Sequence, residues 1–594
     1  MNNIIKSIGA GCLLSLSLTS CNDSFMERYP ETSITDKVYF QTVKDLELYT
    51  NGLYGGLGAS YNDVVSDNVL YVEDAGIYKL MRGETTPETV GQWGGWDKVR
   101  NINFMLENTG TVKGDLPKIN HYVGLARMFR AIQYYGMVKS YSDLPWYSRT
   151  IQTTDEDLLY KTQDPRTLVV DSIMADLQFA VDHIEDGASK TRVTLSSALM
   201  TQARIALHEG TFRKYHDELN LQDGNEYLKV ARDAAKRVID SGKFDIYTTQ
   251  TQYHPYEALF ISEDLSQNPE MIMFADYDKA LGRMHNAQAM INWTHSLSRD
   301  LMEDYLIVEN NEAIPYTESS VYGKQKMYEV FENRDPRITY TFMQPGFTRD
   351  GYKEPERAKM GLGGFCQIKF IPRSYDQFGW GASYTDLPIY RYAEALLIYA
   401  EARAELGELT QDDLDITVNK LRDRVNMPHM KLANVLAKID PRQEAHYPNV
   451  DGAQKGAILE IRRERRIELA CEGQRYGDLM RWKVGENFAN LAEGVYIDKL
   501  GYQDITGDNQ PDIAIVATQA DADAIPAADK EKYKLTVYVL DGNTFSLSEG
   551  DHGYIRLTSQ IGKFNFISPK YYYTPLDVKD IQLNKNLVQN SFWQ

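Results

Sequence analysis

The chain has 594 residues, net charge −20, 43% hydrophobic and 11% aromatic residues, enough for several domain-sized cores and too rich in apolar side chains for a disordered or fibrous protein. With 84 acidic against 64 basic side chains, its mean field repels phosphate backbones and anionic lipid, and no basic stripe offsets this for nucleic acid. Tyrosine is the compositional outlier at 40 residues, and its apolar face with a polar edge suits both sugar rings and helix packing.

At the N-terminus, Lys6 precedes an apolar run from Ile8 to Leu18, which has the length of a signal-peptide core and is too short to span a bilayer. The run ends in Leu18-Thr19-Ser20-Cys21, which resembles a bacterial lipobox; residues 1–20 then form a lipoprotein signal and Cys21 becomes the acylated first residue of the mature chain. Residues 21–40 are polar and acidic and read as a tether. The other cysteines, Cys12, Cys366 and Cys471, suggest neither a disulfide framework nor a zinc site.

From there the helical period recurs. A helix is predicted over Thr42 to Leu57 and another over Asp97 to Glu107. Between Pro165 and Asp186, Val170, Ile173, Leu177, Val181 and Ile184 follow one helical face, and Thr194 to Glu209 continues with Leu195, Leu199, Ala203 and Ala206 before an expected stop at Gly210. Glu226 to Ser241 repeats the scheme, and three such helices joined by short turns should stack in sequence. The pattern returns over Arg391 to Leu406 and Asp413 to Asn426, after which Pro428 blocks extension. Residues 243–390 are rich in Gly, Pro, Asn and aromatics, and 495–567 alternate strand-like pieces such as Leu535 to Leu540 with turns. Long non-repeat segments on a helical scaffold usually carry binding function.

Catalytic motifs are absent: there is no G-x-S-x-G elbow and no Walker lysine, and His208-Glu209 lacks the second histidine of a zincin helix. The expectation is a non-enzyme. Asp504 to Asp512 places carboxylates at alternate positions that could wrap a calcium ion, although Asn509 stands where the sixth-place glycine belongs and a plain acidic turn is favoured. No other cofactor is expected. For ligand capture, tryptophan offers the least ambiguous flat face: Trp293 beside Asn292 in the irregular middle, Trp380 between Gly379 and Gly381, and Trp93 with Trp96 in a Gly-rich stretch. For the last two, burial as loop anchors is the slightly favoured alternative.

Four blocks resemble the SusD/RagB outer-membrane nutrient-binding lipoproteins. They are Ala126-Arg127-Met128-Phe129-Arg130-Ala131 with Asp143-Leu144-Pro145; Arg391-Tyr392-Ala393-Glu394 through Tyr399-Ala400-Glu401-Ala402; Glu464-Arg465-Arg466-Ile467-Glu468-Leu469 with Glu472-Gly473-Gln474-Arg475 and Asp478-Leu479-Met480-Arg481-Trp482; and Tyr571 to Trp593. Leu125 departs from the family's usual glutamate, and Ser142 from its glycine. The resemblance implies a mainly α body over residues 41–594, a tetratricopeptide-like helix-pair scaffold decorated by long irregular loops and a few short β-strands. The helical scaffold would lie mainly in 97–242 and 391–482, and the ligand loops in 243–390. It also implies a lipid anchor at the cell surface of the outer membrane, a TonB-dependent SusC-like transporter as partner, and a glycan ligand. A peptide-binding member of the same family, and a surface glycoside hydrolase, stand as alternatives. The charged signature residues read as structural: Arg465 with Glu468, Glu472 with Arg475, and Arg391 with Glu394 are three apart and can pair on a helix surface.

Overall fold

The computed structural model describes residues 39–594 apart from 74, 75, 324, 543 and 563; the signal segment, Cys21 and most of the tether lie outside the described residues. Helices dominate. The first, α1 (Val43–Asn51), is followed by a 3-10 turn at Tyr54–Gly56, so the helix expected to reach Leu57 ends early. Next come α2 (Trp96–Asn108), α3 (Leu116–Tyr141), α4 (Arg166–His183), α5 (Leu195–Tyr215) and α6 (Gly224–Asp240). Consecutive members of the α3 to α6 series pack on one another, and their faces supply Tyr134, Leu177, Ala203 and Ala231 to one shared core.

Helix α5 does not stop at Gly210 but continues to Tyr215. A Cβ at Gly210 would lie 2.9 Å from both the Gly224 carbonyl oxygen and the Leu228 nitrogen, so this glycine lets the backbone of α6 approach α5 rather than ending the helix. Gly242, with φ +62°, does follow the end of α6 in the left-handed conformation that favours glycine.

The second helical block contains α7 (Tyr392–Glu405), α8 (Gln411–Asp415), α9 (Val418–Arg424), α10 (Lys455–Glu468) and α11 (Arg475–Arg481). The single helix expected over Asp413 to Asn426 is broken between α8 and α9, where the Thr417 hydroxyl donates to the Asp413 carbonyl at 2.5 Å. A side-chain donor there competes with the helix's own amides.

Strands are short and scattered. In the middle segment, β1 (Val69–Tyr71) pairs antiparallel with His295–Leu297, and Met271–Ala275 pairs antiparallel with Leu387–Arg391, the strand that leads into α7. In the C-terminal segment, Gly501–Gln503, Ile513–Val516 and Thr536–Val539 form a three-stranded sheet. Its last two strands are parallel, which requires a crossover, and the short helices Gln519–Ala524 and Ala527–Lys532 supply it.

The signature charges are buried, and their partners are not the expected ones three residues away. Glu468 accepts from Arg337 at 2.9 Å, Arg391 at 2.7 Å and Arg424 at 2.5 Å, Glu472 from Arg391 and Lys369, and Glu270 from Arg391 and Arg424. Arg465 pairs with Asp478, Arg475 with Asp67, and Glu394 with Arg204. These ions tie α10 to α9, α11 and the strand before α7. Surface i,i+3 pairing fails because the helix face carrying them is covered on all sides, and a buried charge must find partners wherever neighbouring elements present them. Burial pushes the Glu468 carboxyl up, but Arg424, Arg391 and Arg337 outweigh it and hold the group well below its ordinary value.

Candidate functional site

Trp293 and Trp380 meet at the surface. Their rings are 5.8 Å apart and nearly perpendicular at 89°, with 57% and 68% of the residues exposed. Leaving two large indoles in water forgoes the burial that normally holds tryptophan in a core. Local geometry keeps them there. Asn292 adopts φ +58°, its amide nitrogen donates to the Gln367 carbonyl at 2.7 Å and its oxygen accepts from the Gln367 nitrogen at 2.8 Å. Both ends of that side chain are thus committed to backbone, and Lys359 donates to the Asn292 carbonyl at 2.7 Å. On the other side, Gly379 and Gly381 have φ of +117° and +65°, and their nitrogens donate to Gln288 and Asn286. The loop therefore turns sharply on either side of Trp380 at positions where a side chain would be strained.

A second set of exposed rings leads into this corner. Tyr352 stacks on Tyr375 at 3.7 Å, Tyr375 lies 5.5 Å from Phe378, and Arg349 sits over Tyr375 and Phe378 at 5.3 and 4.8 Å. Phe378 is two residues from Trp380. Sequence reading missed Tyr352, Tyr375 and Phe378; the signal was the run Tyr375-Asp376-Gln377-Phe378-Gly379-Trp380-Gly381, in which three aromatics crowd a glycine-bounded loop. Beneath the ladder, Asp376 accepts from the hydroxyls of Ser374 and Tyr384 and from Lys279 at 2.9 Å, contacts that hold its carboxyl well below its usual range. Tyr384 is pushed up by burial and by that carboxylate. Beside this loop lies a 490 Å³ polar cleft lined by Tyr253, Glu263, Arg373, Ser374 and Gln377 among others.

The other two candidate tryptophans form a separate pair. Trp93 is 9% exposed, packs edge-on against Trp96 at 5.2 Å and at a tilt against Tyr141 at 5.5 Å, and donates its backbone nitrogen to Asp580 at 2.7 Å. Trp96 touches Tyr134 and Tyr147. This pair pins the start of α2 to α3 and lines a 340 Å³ pocket with Leu583 and Leu587; no ring contact joins it to Trp293 or Trp380.

In the loop considered for calcium, Asp504 accepts from the nitrogens of Gly507 and Asn509, Asp508 from Gln510, and Asp512 from Ile505 and Thr506. The carboxylates serve the turn's own amides. Among the described residues, no group of three or more His, Cys, Asp or Glu side chains is placed to hold a metal ion. Cys366 and Cys471 are buried free thiols, and among the described residues no helix is long and apolar enough to cross a membrane.

Comparison with known proteins places this architecture. A SusD-like protein from Formosa agariphila, P38, is 22% identical over 519 residues, covering 82% of this chain and 93% of its own. A crystal structure of a SusD-like carbohydrate binding protein from Bacteroides fragilis superposes with a TM-score of 0.64 at 18% identity, over 93% of this chain and all of that one. A laminarin binding SusD-like protein superposes at 0.54 with 15% identity, again over 93% of this chain and all of that one. The sequence profile of the SusD family matches residues 262–593, more than half of the chain. With its helical scaffold, interposed loops and buried signature charges, this chain belongs to the SusD family.

Proposed function

We propose that the protein captures an oligosaccharide at the Trp293–Trp380 corner, without chemistry on it, and delivers it to a TonB-dependent SusC-like transporter from an outer-membrane lipid anchor at Cys21, displayed at the cell surface. The observation that carries this reading is the pair of exposed, mutually perpendicular indoles held by Asn292 and the flanking glycines. A right-angled pair offers one ring as a floor for the CH face of a sugar and the other as a wall, while Asp376, Tyr384 and Arg349 provide polar edges nearby. The solved structures described as carbohydrate binding and laminarin binding favour the same ligand class.

Calorimetry with laminarin and a panel of other oligosaccharides tests it, in parallel with a thermal melt. Trp293→Ala and Trp380→Ala should each weaken binding by roughly five- to hundredfold, the equivalent of about 1 to 3 kcal/mol for a lost stacking platform. Because both rings are exposed, the melting temperature should stay near that of the wild type. A lowered melt with unchanged affinity would assign the rings to packing, and release of reducing ends would make the protein an enzyme.

A further inference from the structure

Two indoles that stand mostly in water gain little packing of their own, so the right angle between Trp293 and Trp380 has to be imposed by what lies beneath them. Gln367 lies beneath the Trp293 arm. Its main chain holds both ends of the Asn292 amide, and its side chain, fully buried, makes a second set of contacts. Nε2 donates to the carbonyls of Tyr61 at 2.8 Å and Lys369 at 2.9 Å. Lys369 in turn holds Glu472 of the buried ion network, so the amide rests on a fixed base.

Carbonyls only accept, which settles the orientation of the Gln367 amide and turns Oε1 toward His295 Nε2, 3.4 Å away. Burial lowers the pKa of His295 to about 4 against the opposing pull of Gln367, so the ring is neutral and carries its proton on Nε2. Asn292 precedes Trp293, and His295 follows it in the strand paired with Val69–Tyr71. Gln367 therefore grips the chain on both sides of the first indole.

The Trp380 arm reaches the same residue through Tyr61, whose ring stacks on His285 with centres 6.5 Å apart. His285 exchanges backbone hydrogen bonds with Ser383 at 2.8 and 3.2 Å and donates Nε2 to the Thr385 carbonyl at 2.9 Å. Its neighbour Asn286 accepts from Gly381, beside Trp380. The loop that carries the second indole is thus docked on His285, and the tyrosine stacked on His285 is held by Gln367.

We propose that Gln367 is a positioning residue for the oligosaccharide site: one buried amide sets both indole arms, and with them the right angle, without reaching the ligand. This role rests on the reading of the corner as the glycan site. A buried amide that only satisfied core carbonyls would contribute to stability and leave the indoles where they are.

Gln367→Met in the full chain tests the role, since methionine keeps the length of the side chain but strands the Tyr61 and Lys369 carbonyls. Close, non-parallel indoles couple their electronic transitions, so their mutual geometry is read without ligand by circular dichroism, as the part of the wild-type signal that Trp380→Ala removes. Well below its own melting temperature, Gln367→Met should lose most of that part and bind laminarin at least about tenfold more weakly by calorimetry. Gln367→Asn, one methylene too short to reach both carbonyls, is the second variant if the first does not fold. A folded variant that keeps the coupling signal would overturn the proposal, as would loss of the signal with unchanged affinity, or a wild-type protein from which Trp380→Ala removes no such signal. A wild type that binds no oligosaccharide would instead sink the proposed function, and the coupling signal would still decide whether Gln367 sets the two indoles.

Discussion

Asn292 commits both ends of its amide to the Gln367 backbone, and so fixes the point from which the Trp293 indole projects. In the proposed site, a residue of this kind would aim the stacking surface without touching the ligand. Glu460 shows the same separation between a charge and its visible partner. It lies 3.0 Å from Arg463, yet burial raises its pKa to about 7, with Arg422 pulling it down and Glu464 pushing it up. A carboxyl whose folded pKa exceeds its unfolded value of 4.5 binds protons more tightly in the native state, so its contribution to stability falls as pH rises from 4.5 to about 7 and stays unfavourable above. Glu460→Gln keeps the length and an acceptor for Arg463. It should therefore gain about 1 to 3 kcal/mol over the wild type at pH 8 in urea denaturation, a gain that disappears near pH 4.5. Equal stability of the two proteins at pH 8 would show that Arg463 fully compensates the buried charge.

At the level of elements, the close crossing of α5 and α6 makes an inverted prediction. An alanine ordinarily stabilises a helix interior by about 1 kcal/mol over glycine. At Gly210 the added methyl would meet Gly224 and Leu228 backbone at 2.9 Å, so Gly210→Ala should instead destabilise by about 1 to 3 kcal/mol, seen as a lower urea midpoint. The sequence shows that α5 exists, because Leu199, Ala203 and Ala206 mark one face. It does not show that Gly210 lies inside the helix, since a glycine that ends a helix and one that admits a neighbour are the same letter. The partners of Glu468 were hidden for a related reason, since they depend on what other elements present, whereas the break at Thr417 is local, a hydroxyl bonded to the Asp413 carbonyl that a continuous helix could equally have carried. At the site, the tryptophans were legible as residue types. Their meeting was not, because Trp293 and Trp380 are separated by a segment without a period to propagate a register.

Over the whole molecule, a network of buried ion pairs runs through the interior alongside the apolar cores. The sheath of arginines around Glu270, Glu468 and Glu472 joins residues from 270 to 472 into one network, and losing any one partner strands others without water. In the proposed function, binding and anchoring fall on different parts of the chain. The Trp293–Trp380 corner is built from residues between 286 and 381, whereas the anchor assigned to Cys21 precedes the described body, in which no helix could cross a membrane. Acyl chains contribute about 0.8 kcal/mol for each methylene they bury, so removing them should abolish membrane retention without altering the corner. Cys21→Ala should therefore move the protein from the membrane to the soluble fraction while its oligosaccharide affinity, measured by calorimetry, stays at the wild-type value. A variant that remains with the membrane would place the anchor elsewhere, and one that is released but no longer binds would mean that the N-terminal segment helps to build the site.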